Sequence, residues 1–229
     1  MMYRILTGFI IVLGLTTTSL ANDIYVTQSG NTLDLDITQD GQNNTLGNST
    51  TASASTGNAF NMDIDQIGDS NVIKYQVNGA SYTGVISLTG NSNDVDLNCD
   101  STNGNSSCGT VSASITMVGS SNDLDIDIGQ TAAATGSEVT ITSAASDDSN
   151  VIAATVDGTS AILRITVDGD TNNWLVDIDG NGDANGHTLI HTHTGGIADV
   201  DIVQSGVYDN MITLTTSGDN ADIDISQTD

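Results

Sequence analysis

The sequence predicts an all-β chain wound as a β-solenoid. Three observations carry that reading: apolar residues alternating with aspartate, glycines at an 11-residue interval, and an asparagine that returns after every second turn. The 229 residues include 29 acidic ones, all aspartate except Glu138, against Arg4, Lys74 and Arg164, for a net charge of -26. That excludes attraction to nucleic acid or to an anionic bilayer, which needs clustered Lys and Arg. Proline is absent, where average usage would give roughly eleven. Disordered chains are rich in Pro, Glu and Lys, whereas this one is filled with Ile, Val, Thr, Asn, Asp and Gly.

Residues 1–21 read as a secretory signal. Arg4 supplies the positive charge, Ile5–Leu15 the apolar stretch, and Ser19-Leu20-Ala21 a small-x-small cleavage site before Asn22. The apolar stretch is too short to span a bilayer. The expected mature chain is therefore residues 22–229, one repeat domain, exported and without membrane insertion.

Alternation is strict in Leu33-Asp-Leu35-Asp-Ile37, Leu124-Asp-Ile126-Asp-Ile128 and Ile223-Asp-Ile225, which puts apolar side chains on one strand face and aspartates on the other. Glycines punctuate these strands. Gly30 and Gly41 are 11 residues apart, as are Gly57, Gly68, Gly79 and Gly90 in succession, then Gly158, Gly169 and Gly180; Gly206 and Gly218 are 12 apart. Alternate turns differ. Gly41, Gly68, Gly90, Gly119 and Gly169 are followed three residues later by Asn44, Asn71, Asn93, Asn122 and Asn172, and Asn150 continues the series after Asp147. Consecutive members lie 27, 22, 29, 28 and 22 residues apart, a base unit of 22 with insertions. Strand, turn, strand, turn is one coil, and eight or nine coils at strand spacing make a rod of about 40 Å.

Apolar residues fill the space between the two strands of each coil, each contributing about 1.5–3 kcal/mol when fully buried. Gln28, Gln39, Gln66 and Gln204 fall at in-facing positions. A lone buried amide costs a few kcal/mol, so stacking on amides in neighbouring coils is expected, as in cross-β assemblies. The turn asparagines are expected to stack in the same way. The missing proline follows, because every coil donates backbone hydrogen bonds to the next.

The turns Gln39-x-Gly41-x-x-Asn44 and Gln66-x-Gly68-x-x-Asn71 resemble the repeat of curlins, the secreted subunits of bacterial curli fibres. Gln28/Gly30 and Gln204/Gly206 match in part, while Leu88, Met117 and Val167 replace the glutamine elsewhere. The resemblance in period and turn pattern runs over nearly all of 22–229. It implies a curlin-like solenoid, a functional amyloid exported through outer-membrane machinery of a Gram-negative-type bacterium, and a role in biofilm matrix and cell adhesion.

The first motif (Ile24, Val26, Gln28) and the last (Ile223, Ile225, Gln227) give the expected solenoid a bare strand edge at each end. Monomeric solenoids cap such edges. Uncapped, they add head to tail, and a contact that does not close makes a filament. The expected partner is a second copy of the same chain.

Smaller signals remain. Cys99 and Cys108 favour a disulfide in an exported chain, with free thiols as the alternative. Asp177-x-Asp179-x-Asn181-x-Asp183 resembles the start of a calcium loop, though Thr188 stands where an EF-hand places Glu, so a Gly/Asn/Asp turn is the stronger reading. His191 and His193 share a strand face near His187, with no third metal ligand fixed by spacing. Stacked outward aspartates about 5 Å apart repel by roughly 0.8 kcal/mol per pair even in water, so salt, Ca²⁺ or acid should promote assembly. No Gly-x-Ser-x-Gly elbow, phosphate loop or His-Glu-x-x-His occurs, and no enzyme is expected. The alternative function is a monomeric acidic solenoid binding calcium or a surface, as adhesins and ice-binding proteins do. Flat threonine rows would favour ice, but Thr192/Thr194 and Thr213/Thr215 are not expected to recur at the coil period.

Overall fold

The computed structural model describes residues 22–47, 52–99, 109–129, 136–144, 149–158, 160–179, 186–206 and 210–228. The expected signal segment, 1–21, lies outside them. The strands are β1 (Asn22–Ile24), β2 (Thr27–Ser29), β3 (Thr32–Asp40), β4 (Asn44–Leu46), β5 (Ser53–Ile67), β6 (Ser70–Thr89), β7 (Ser92–Cys99) and β8 (Thr110–Val118). They continue with β9 (Ser121–Ile128), β10 (Glu138–Ala144), β11 (Ser149–Asp157), β12 (Ile162–Asp179), β13 (Thr188–Ser205), β14 (Met211–Ser217) and β15 (Asn220–Thr228). The fold is the β-solenoid the alternation predicts. Every strand pairing is parallel and joins residues one coil apart.

The coil has two faces. On the first, Ile24, Leu46, Ile73, Val95, Leu124, Ile152, Trp174, Val200 and Ile223 stack in register, nine rungs. On the second, Ile37, Ile64, Ile86, Ile115, Ile141, Ile165, His191 and Leu214 form eight. The two faces meet in one continuous core. β5, β6, β12 and β13 run through a corner without a break, so they belong to both faces. The second face makes about seven turns from Ile37 to Leu214. That is slightly fewer than the eight or nine coils expected from a 22-residue unit, because extra residues lengthen several coils. The step is 29 residues from β7 to β9, 28 from β9 to β11 and 26 from β12 to β13.

Sterics at the corners explain the glycines. A Cβ on Gly68 would come within 2.2 Å of the Gly41 carbonyl oxygen, and one on Gly90 within 2.2 Å of that of Gly68. Corner backbones stack as closely as the strands do and leave no room for a side chain. Side-chain volume is matched inside as well: Gly84 leaves the space that the Tyr82 ring fills.

Candidate functional site

The asparagines expected to stack do so without a gap. Asn44 Nδ2 donates to Asn71 Oδ1 (3.2 Å), Asn71 to Asn93 (2.8 Å), Asn93 to Asn122 (2.6 Å), Asn122 to Asn150 (2.8 Å) and Asn150 to Asn172 (2.7 Å). All six are buried. The motif's spacing now has a cause. The corner glycine lacks a Cβ, and the asparagine amide of the preceding coil lies against it: Asn71 Nδ2 would lie 2.7 Å from a Cβ on Gly90. The same amides reach corner carbonyls, as in Asn172 Nδ2 to the Gly169 oxygen at 2.8 Å. Two members were not legible in the sequence. Ser143 bonds both Asn122 (2.8 Å) and Asn150 (2.7 Å), and His193 Nε2 closes the ladder against Asn172 at 2.9 Å.

The glutamines form two short pairs in place of one column. Gln66 Nε2 donates to Gln39 Oε1 at 2.6 Å on the second face, and Gln227 Nε2 to Gln204 Oε1 at 3.2 Å on the first. Gln28 shares neither pair; it stacks over Ser55, and its buried Oε1 has no hydrogen-bond partner. The 11-residue interval is the same at both corners, so spacing alone does not say which face a glutamine occupies. Gly30 and Gly206 therefore turn the corner opposite to that of Gly41, Gly68, Gly90, Gly119 and Gly169.

The two ends are open among the described residues. β14 and β15 pair only with β13, β1 only with β4, and β2 and β3 only with β5. Their in-facing side chains are half covered: Ile24, Val26, Leu33, Leu35, Ile212 and Ile223 pack against the core but are not buried, and Ile225 is 49% exposed.

The outer faces differ from each other. On the first, Asp94 stacks on Asp123, Asp96 on Asp125, Asp199 on Asp222 and Asp201 on Asp224. Lys74 lies 4.0 Å from Asp94 and 3.7 Å from Asp96. Partial burial, with neighbouring aspartates adding to it, raises the Asp94 and Asp125 carboxyls above their ordinary value. On the second face Thr116, Thr142, Thr166, Thr192 and Thr215 stack in consecutive coils. The sequence reading expected no such recurrence; the 26- and 23-residue steps that carry Thr166 to Thr192 and Thr215 hide it. Arg164 pairs with Glu138 beside this column.

His191 and His193 point into the core against Trp174, with ring centroids 4.4 and 5.1 Å away. Burial lowers the His191 imidazole to about 4, and lowers that of His193 as well. No group of three or more His, Cys, Asp or Glu able to hold a metal occurs among the described residues. Of the calcium-loop candidates, Asp177 and Asp179 lie in β12, beside Val203 and Ser205, while Asn181 and Asp183 lie outside the described residues. Cys99 is buried at the end of β7 and is not a free thiol; Cys108 lies outside the described residues. Comparison with known protein families, curated proteins and solved structures finds no match.

Proposed function

We propose that this chain is a secreted structural subunit that polymerises head to tail into extracellular curli-like fibres for biofilm matrix and cell adhesion. The observation that carries the reading is the pair of ends open among the described residues: strand edges that pair on one side only and leave apolar in-facing residues half covered. Such edges template another strand, and a head-to-tail contact between the two unlike ends does not close, so it propagates. The continuous asparagine ladder supports it, since stacked amides of this kind stabilise cross-β assemblies. In this reading the leader at 1–21 is removed on export, outer-membrane machinery passes the chain to the surface, and a Cys99–Cys108 bridge staples one insertion. The function needs no catalysis and no cofactor, although Ca²⁺ bridging outward aspartates would ease stacking. Negative-stain microscopy of purified residues 22–229 tests this. Uniform fibres are expected, with an Ile225→Lys variant that keeps its β-rich circular dichroism but stays monomeric. A wild-type chain that remains monomeric at high concentration, with and without Ca²⁺, overturns the reading.

The threonine column favours a second reading, a monomeric rod that binds an ordered surface through its second face. It predicts that Thr142→Lys and Thr166→Lys abolish surface binding while leaving any fibre formation intact.

A further inference from the structure

We propose that successive subunits in the fibre are related by a half turn about the rod axis, so that each copy's first face continues the second face of the copy before it. The inference rests on the polymerisation reading above and adds the geometry of the junction.

The rung count requires it. Strand 22–28 and strand 220–228 both lie on the first face, which therefore has nine rungs against eight on the second. Stacking a copy without rotation sets its first-face edge on β15 and leaves the second face one strand short at every junction. The backbone N–H and C=O groups lining that gap would lose their partners, a cost paid at each junction. A half turn removes the gap. The incoming β1 and β2 then seat on β14, and the incoming β3 seats on β15, as the next two strands of one unbroken spiral.

The edge sequences match in this arrangement. Residues 22–30 and 210–218 share Asn-x-Ile-x-x-Thr-x-Ser-Gly, and residues 34–39 and 222–227 share Asp-x-Asp-Ile-x-Gln. The first pair of segments lies on opposite faces of one subunit, as does the second. Only a half turn brings each segment onto its counterpart. The glutamine pairs join as well. Gln66 donates toward Gln39 and Gln227 toward Gln204, both from the later coil to the earlier. With the incoming Gln39 above Gln227, the four amides Gln204, Gln227, Gln39 and Gln66 form one ladder with a single donor direction. Thr216 then comes beneath the incoming Gln28, whose Oε1 is buried without a partner. Without rotation Gln227 meets Gln28, and Gln39 meets Thr216, so that ladder ends at the junction.

The half turn also has an electrostatic consequence. It sets Asp222 and Asp224 against the incoming Asp34 and Asp36, whereas an unrotated copy would present Asp34 and Asp36 to Met211 and Thr213. Elongation should therefore accelerate with salt, Ca²⁺ or acid.

Paired cysteines decide the geometry. Thr38, Thr215 and Ser226 all point outward and are exposed. In fibres grown from the double variant Ser226→Cys with Thr38→Cys, the half turn places the two thiols on adjacent rungs. A short thiol cross-linker is expected to convert those fibres to a ladder of covalent multimers on a non-reducing gel. Thr215→Cys with Thr38→Cys is expected to stay monomeric on the gel. The reverse result overturns the half turn while leaving polymerisation standing, and fibres that cross-link in neither variant overturn strand-on-strand docking in this register. Failure of both variants and the wild type to form fibres by microscopy overturns the polymerisation reading itself.

Discussion

Ile126 and Ile225 occupy the same in-facing column, four coils apart from one another in the stack, yet one is fully buried and the other is 49% exposed. Nothing in their local sequence separates them: each follows an aspartate in an alternating strand. The difference is the presence of a coil on both sides. In the interior, each rung is sealed by its neighbours, and the asparagine ladder runs without interruption. At the ends the same repeat displays half-covered isoleucines, on strands that pair on one side only among the described residues. Burial in this fold is thus conferred by the next coil, and a second copy could confer it equally well.

Substitutions should separate the two regions most strongly in the apolar columns. Ile141→Ala, at a fully buried interior position, is expected to destabilise the monomer by about 2–5 kcal/mol in denaturant titration. Ile225→Ala should cost the monomer under about 1 kcal/mol while slowing fibre elongation, because its methylenes are covered only after docking. Next comes the polar ladder. Asn122→Ala strips partners from Asn93, Asn150 and Ser143 together, for about 2–4 kcal/mol. Gln227→Ala, at the open edge, should cost about 1 kcal/mol or less by the same titration.

Acid sharpens the contrast further. The folded-state pKa of His191 is depressed to about 4 from 6.5, chiefly by burial, with His193 adding to it, and that of His193 is depressed too. The unfolded chain therefore binds more protons in that window, and stability contributed by neutral histidines is lost as pH falls from about 6.5 toward about 4. Asp94 and Asp125 shift the other way. Their carboxyls are raised by burial, so stability is gained as they protonate on acidification. Hydrogen exchange read coil by coil should show β12 and β13 loosening with acid while β7 and β9 tighten, and His191→Leu should remove most of the first effect. The smallest expected change is electrostatic. Asp222→Asn with Asp224→Asn relieves repulsion of roughly 0.8 kcal/mol per stacked pair and should speed elongation several-fold at low salt, with little effect in high salt.

Much of this was legible before any coordinates. The alternation gave the strands, and the Gly-x-x-Asn spacing placed five ladder asparagines in their observed register, with Asn150 after Asp147 continuing the series. That worked because a corner with little room for a Cβ favours glycine at one fixed offset from the asparagine. Facing was less legible. Gln28 and Gln204 looked equivalent to Gln39 and Gln66 because both corners share one interval, yet they lie on the opposite face. The threonine column was hidden by unequal coil lengths, and His191 and His193 face inward because they continue the alternation from Leu189 on the rungs of Ile165 and Val167.

The ends themselves give the most direct test. Hydrogen–deuterium exchange on freshly purified monomer and on assembled material should find the amides of β1–β3, β14 and β15 exchanging rapidly in the monomer and protected many-fold after assembly. β9 and β11 should remain protected in both. Edge amides that exchange equally fast before and after assembly would place the subunit contact elsewhere and contradict the account.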